Sequence, residues 1–203
     1  MEIIDCQQGT DEWIAAKLGK VSSSHFSEVL AKGQGKTRNA YMLKLAAERL
    51  TGLPQEGYSN IKMDRGIEIE PQAREYYAKL YDCEVVQVGF CQLNEDVGTS
   101  PDGLIGDNGA IEIKCPDSTT HLANIITAKM PTIYVPQVQG QLWITGRKFC
   151  DFVSFDPRVQ QRPFWSVRIE RDEEYIKNLS ESIWQFVSEL RELIEKITGN
   201  VPF

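Results

Sequence analysis

The 203-residue chain is poor in several features that would each have announced a function class. No apolar run approaches the ~18 residues a membrane span needs, so no membrane role is expected. The opening MEIIDCQQGTDEW carries acids and no basic n-region, so a secretory signal is not expected either. Five cysteines (Cys6, Cys83, Cys91, Cys115, Cys150) form no CxxC pair and leave one over, which suits reduced thiols and a cytoplasmic protein. Only His25 and His121 are present, too few for a histidine-built zinc hydrolase, and both read as structural or exposed. GQGKT (33–37) lacks the GxxxxGK[ST] spacing and follows no hydrophobic strand, so it reads as a loop and not a phosphate cradle. Internal repeats and low-complexity linkers are missing too.

What remains is an ordinary globular composition, 41% hydrophobic and 25% charged, at a length that fits one domain of ~150 residues or somewhat more. The net charge of −7 argues against a polyanion partner until its distribution is read. Residues 17–49 hold seven Lys/Arg against two acids, whereas 170–196 hold eight acids against four bases. A locally basic segment can bind a polyanion on an acidic chain, although a solvated helix face gives the same pattern.

Periodicity predicts helices over 10–18, 39–51, 64–81, 119–129, 133–145 and 172–198, with Ser22–Ser24 capping a further helix at 25–32. Pro71 suggests that Glu70 lies at a helix start or kink. Strands are predicted over 84–93, 103–105, 110–115, 149–155 and 164–170, with Asp107-Asn108-Gly109 as a hairpin turn. The order implies an α/β (α+β) fold, one mixed central sheet flanked by helices in a single domain. Its parts are an N-terminal helical segment 1–82, a sheet core 83–170 and a C-terminal helix 171–203. Trp143, Trp165 and Trp184 occupy apolar positions and read as core.

Ser100-Pro101-Asp102-Gly103 and Ile111-Glu112-Ile113-Lys114 carry the chemistry. On a strand, Glu112 and Lys114 share a face while Ile111 and Ile113 point to the core. Folding the hairpin brings Asp102 beside Glu112. Two hard oxygen donors in one cleft suit Mg²⁺, with Mn²⁺ as a substitute, and a nearby lysine can orient water: the equipment of a phosphodiester hydrolase. Two metals would stabilise the attacking and leaving oxygens. Either motif alone is an ordinary strand or turn; together, ten residues apart, they point to a nuclease.

Pro101-Asp102…Glu112-Ile113-Lys114 is the signature of the PD-(D/E)XK nuclease superfamily. QGTDEW (8–13), LGKVSSS (18–24), SPDGLI (100–105), IEIKCP (111–116), YVPQVQGQLWIT (134–145) and IERDEEY (169–175) resemble, in order, the lambda-exonuclease and YqaJ-type family of viral recombination exonucleases. That resemblance implies a Mg²⁺-dependent 5′→3′ double-strand DNA exonuclease of phage or prophage origin, acting in a bacterial cytoplasm. It would release 5′-mononucleotides and leave 3′ overhangs. It also implies a ring-shaped homotrimer on duplex ends, 5′-phosphorylated by preference, working with a single-strand annealing protein. Alternatives are a nuclease of other polarity, an endonuclease, or a non-catalytic DNA-end-binding module.

Residue by residue, the resemblance makes Asp102, Glu112 and Glu70 metal ligands together with the Ile113 carbonyl, with Glu68 the rival of Glu70. Lys114 matches the water-activating lysine. Gln137 matches a glutamine beside the water, against the reading of a buried amide. Lys17, where the family carries arginine, would join Ser24 and Ser100 on the terminal 5′-phosphate, against a plain surface lysine. Met63 falls near a strand-separating wedge and equally suits a core methionine.

Overall fold

The computed structural model describes residues 1–31, 35–55 and 61–199, and the backbone alone at 61–64 and 67. Strand β1 (Glu2–Ile4) precedes helix α1 (Asp11–Lys17). The Thr10 hydroxyl caps α1 by accepting the Trp13 N–H at 3.4 Å, and Asp11 and Glu12 sit at its positive end. Gly19, at φ +66°, ends it. The serines that follow do not cap a long helix. Val21–Ser22 is strand β2, Ser23–His25 a 3-10 turn, and α2 (Phe26–Val29) a single helical turn without a side-chain cap. The reason is competition for the hydroxyls: Ser23 Oγ lies 2.6 Å from Thr99 Oγ1, and Ser22 Oγ 3.2 Å from Ser24 Oγ.

Helix α3 (Lys36–Thr51) closes at Gly52, φ +68°. Helix α4 (Ile61–Tyr81) runs through Pro71, so Glu70 lies inside a helix and not at its start. A helix-interior proline costs about 3 kcal/mol. Burying Ile69 and Tyr77 against the sheet, at roughly 1.5–3 kcal/mol for each large side chain, is enough to offset it.

The strand expected over 84–93 is two short ones, β3 (Val85–Val86) and β4 (Phe90–Gln92), in different sheets. Gly89 marks the break. A Cβ there would sit 2.6 Å from the Ile4 carbonyl oxygen, too close for any other residue. Strands β5 (Val97–Thr99), β6 (Gly103–Ile105) and β7 (Gly109–Lys114) follow. The β6–β7 connection is Gly106-Asp107-Asn108, with Gly106 at φ +48°; Gly109 already belongs to β7, opposite Ile105. Helix α5 (Ser118–Thr127) is capped by Asp117, and a 3-10 turn leads into α6 (Val135–Thr145). Strands β8 (Phe149–Phe155) and β9 (Phe164–Glu170) precede α7 (Glu173–Thr198), capped by Asp172.

Two sheets form, one more than expected. The five-stranded sheet has the order β3-β6-β7-β8-β9, with β7 parallel to β8 and every other pair antiparallel. A parallel pair needs a long crossover, which α5 and α6 supply. A small second sheet, β1-β4-β5-β2, lies beside it and was hidden by strands of two or three residues. Alternation on β7 and β8 sorts the main sheet's faces. Ile111, Ile113, Val153 and Phe155 pack on α4, and Ala110, Cys150 and Phe152 pack with Val138 and Leu142 of α6. Trp165 is buried, whereas Trp184 is 39% exposed at the edge, meeting Trp143 edge-on. His121 is a fully buried brace, its ring nitrogens 2.8 Å from Ser154 Oγ and 2.9 Å from the Arg162 carbonyl.

Candidate active site

The alternation that sends Ile111 and Ile113 under α4 sends Glu112 and Lys114 under α6. Glu112 is 1% exposed, and a carboxylate buried that deeply requires donors. It has three. Its Oε1 accepts from Gln137 Nε2 at 2.7 Å and lies 2.5 Å from Lys114 Nζ, and its Oε2 accepts from Gln141 Nε2. Gln137 and Gln141 are one helical turn apart on α6, so the helix delivers two amides to one acid.

Asp102 sits in the turn between β5 and β6. Its Oδ2 accepts the Ile113 N–H at 2.6 Å, which locks the turn to the middle of β7. Arg74 of α4 donates to the Asp102 carbonyl at 2.9 Å and also to the Glu70 carboxylate. One arginine therefore ties the helix carrying Glu70 to the turn carrying Asp102. Glu70, Asp102, Glu112, Ile113, Lys114 and Gln137 line one side of a cavity of about 220 Å³. Glu68 is exposed and does not line it.

The rest of the wall comes from Lys17 and Ser22–Ser24 of the N-terminal segment and from Ser100, in the same turn as Asp102. Gln8 holds that segment in place by donating to the Val88 and Pro101 carbonyls at 2.8 and 2.9 Å. Trp13 Nε1 donates to Ser100 Oγ at 2.8 Å, and Lys17 Nζ lies 4.2 Å from the Trp13 ring centre, a cation–π contact. Lys17, Ser24 and Ser100 thus share one cavity with the carboxylates. Because α2 is a single turn, no helix dipole contributes, and this wall offers hydroxyls and an ammonium only. Met63 lies in the first turn of α4, and its side chain falls outside the described residues.

The electrostatics follow from crowding. Burial pushes the Asp102 carboxyl well above the usual carboxylate range, and the neighbouring Glu112 and Glu70 charges push it further. Burial likewise raises Glu70, with Arg74 opposing and Glu112 adding to the rise. Lys114 is pulled down by burial, but Glu112 and Asp102 outweigh it, and in this arrangement it stays an ammonium. It lies 5.0 Å from the Tyr134 ring, which adds to its stabilisation. Such a lysine donates and orients; it does not accept a proton.

Three carboxylates that repel one another across a cavity are a donor set fitted to a hard divalent cation. No group of three acid, histidine or cysteine side chains is gathered into a ready cage among the described residues. Glu112 is instead turned to its amides and to Lys114, and Glu70 to Arg74. Mg²⁺ does not need a preformed cage, since water and substrate phosphate complete its octahedron.

Sequence reasoning missed the organising roles of Arg74, Gln8, Trp13 and Gln141. Arg74 was readable as the i+4 partner of Glu70, and Gln141 as the same-face neighbour of Gln137. Gln8 and Trp13 act across 80 or more residues, and no local signal announces such contacts.

Comparison with known proteins fits this geometry. Residues 12–148 match the family model of the YqaJ-like viral recombinase domain. The alkaline exonuclease LHK-Exo of Laribacter hongkongensis is 40% identical, covering 93% of this chain and 96% of its own, with a TM-score of 0.87. The same enzyme solved in complex with dAMP superposes at a TM-score of 0.88. A phage-related exonuclease of Haemophilus somnus 129PT, 19% identical over 88% of this chain and 96% of its own, shares the fold at a TM-score of 0.69. ExoD of Escherichia coli (strain K12) is 31% identical over 64 residues, 32% of this chain and 74% of ExoD. The chain belongs to the YqaJ-like viral recombinase domain family.

Proposed function

We infer that this chain is an exodeoxyribonuclease of the phage recombination type, and we propose that it degrades one strand of duplex DNA from a 5′ end with Mg²⁺. The observation that carries the reading is one cavity lined both by the carboxylates, Lys114 and Gln137 and by Lys17, Ser24 and Ser100. The first set can act on a phosphodiester while the second holds a terminal phosphate.

When bound by Glu70, Asp102, Glu112 and the Ile113 carbonyl, Mg²⁺, or Mn²⁺ in its place, supplies Lewis-acid polarisation of the scissile phosphate. The protein's own groups do the rest. Lys114, held by Glu112 and charged, donates to the attacking water or to a phosphoryl oxygen as charge builds there. Gln137, anchored on Glu112, orients the same water. Lys17 with the Ser24 and Ser100 hydroxyls takes the 5′-phosphate, fixing which bond meets Lys114. The products are 5′-mononucleotides and a 3′ overhang, on which a single-strand annealing protein would load. A homotrimer encircling the duplex would have three times the 23.0 kDa chain mass in light scattering.

The test is end-labelled duplex carrying 5′-phosphoryl, 5′-hydroxyl or nicked ends, incubated with Mg²⁺ or with EDTA. Mononucleotides released from 5′-phosphoryl ends, only with Mg²⁺, are expected. Internal fragments would indicate an endonuclease, release from 3′ ends the opposite polarity, and binding without any hydrolysis an end-binding module.

A further inference from the structure

On the far side of the Lys17–Trp13 pair lies a second cavity, of about 380 Å³, that hydrolysis does not use. It shares Trp13, Lys17 and Ser22 with the catalytic cavity, but none of the three site carboxylates lines it. Ile14, Leu18 and Leu45 make much of its wall apolar.

Three lysines line this recess, Lys17, Lys20 and Lys44. Its one carboxylate, Glu48, already accepts the Gly19 N–H at 3.0 Å and the Gln55 N–H at 3.4 Å, with Lys44 4.0 Å away. Lys20 makes no ion pair among the described residues. Positive charge therefore exceeds negative in a sheltered place. Burial and the nearby Lys44 pull Lys17 down to about 8, and burial with Arg49 also lowers Lys20. A bound anion would relieve both.

The cavity has an aromatic component as well. The His25 ring stacks on Tyr41, with centroids 4.7 Å apart and 21° between planes. Tyr41 is fixed from two further sides, its hydroxyl accepting the Ser22 N–H at 3.1 Å and its ring stacking on Phe186 at 5.7 Å. Fixed rings beside surplus ammonium groups in an apolar recess complement a flat heterocycle that carries phosphate.

We propose that this cavity is a second nucleotide site. It binds a nucleoside 5′-monophosphate, with phosphate on Lys20 and Lys44 and base against the outer face of His25, which Tyr41 backs. Its use rests on the exonuclease reading, under which this ligand is the product of every turnover. Occupancy beside Lys17 would then slow capture of the next end, as product inhibition.

Calorimetric titration in EDTA separates the binding from the reaction. Deoxyadenosine 5′-monophosphate is compared with ribose 5-phosphate and with adenosine. Wild type should bind the nucleotide at least about tenfold more tightly than either fragment. Lys44→Gln and His25→Ala should each weaken it about tenfold, and Lys44→Arg should retain it. In the nuclease assay, Lys44→Gln should keep its initial rate yet lose inhibition by added nucleotide. Wild-type nucleotide affinity in Lys44→Gln would overturn the proposal, because the catalytic cavity alone would then be the binder. Ribose 5-phosphate binding as tightly as the nucleotide would overturn it too, leaving an anion site without base recognition. If wild type hydrolyses nothing, the exonuclease reading falls while the calorimetric comparison still decides this one.

Discussion

Lys114 and Lys17 face one cavity with opposite electrostatic histories. Lys114 lies against Glu112 at 2.5 Å and is held charged, so its contribution is donation to an oxygen that gains charge during hydrolysis. Lys114→Ala should therefore lower the single-turnover rate by at least about a hundredfold, the scale of one lost preorganised donor. Duplex affinity measured with Ca²⁺, which should support binding with little cleavage, should stay near wild type. A wild-type rate in Lys114→Ala would remove the assignment. Lys17 lies where burial and Lys44 bring its pKa to about 8 from 10.5. Below pH 8 it is an ammonium and can hold a phosphate; above, it loses that charge. On 5′-phosphoryl ends kcat/KM, which reports the free enzyme, should fall as pH passes 8, with 5′-hydroxyl ends unaffected and the dependence lost in Lys17→Ala. Lys17→Arg should move that fall out of range, since arginine does not titrate. Folding carries the opposite sign. Between about 8 and 10.5 the unfolded chain still binds the proton that the folded chain has released. Stability relative to Lys17→Met should therefore rise with pH in that window. A flat kcat/KM profile would return Lys17 to the role of a surface cation.

At the scale of elements, the site depends on how closely α6 lies against the serine segment. A Cβ at Gly140 would sit 2.5 Å from the Phe26 ring and 3.2 Å from Ser23 Cβ. Gly140→Ala gains helix propensity of about 1 kcal/mol but overpacks a contact that costs roughly 1–3 kcal/mol. A net loss of up to about 2 kcal/mol in urea unfolding is expected, with a raised KM for 5′-phosphoryl ends because Ser23 and Ser24 move. Unchanged or raised stability would show that Phe26 yields freely. What was legible in the sequence follows the same division. Long periodic helices such as α4 and α7, and β7 with its Glu112–Lys114 face, could be read locally because each pattern is held within one element. Strands β1, β2 and β5, of two or three residues, have no period to read and exist through pairing with distant segments. Pro71 misled for a similar reason, since packing on the sheet overrides the local rule. The Glu70–Asp102–Glu112 grouping was approachable by motif, whereas the Arg74 tie and the Gln8 and Trp13 contacts depend on tertiary approach alone.

For the whole molecule, the question is how a chain of net charge −7 holds a polyanion. The charge distribution suggests that the basic segment 17–49 faces the DNA path with the acidic helix 172–198 outside, and the ion pairs show which of its cations are already engaged. Helix α7 packs on α3, with Arg38 2.7 Å from Glu189, and Arg49 is paired with Asp96 at 2.9 Å. Arg65 and Arg158 share Asp156, Arg168 holds Asp151, and Arg191 pairs with Glu95. The cations that line the two cavities are lysines: Lys17 and, paired with Glu112, Lys114 in the catalytic one, and Lys20 and Lys44 in the second alone. Each phosphate neutralised contributes about −0.9 to the slope of log affinity against log salt. The two lysines of the catalytic cavity thus contribute about −2 to that slope for duplex binding at fixed Ca²⁺, measured by anisotropy over about 50–200 mM salt. Lys17→Ala should make the slope shallower by about 0.9. A wild-type slope of about −7 or steeper would mean that several subunits grip the backbone at once. Charge on this chain's own site would then be a minor part of DNA capture, and the mutation should leave the slope unchanged.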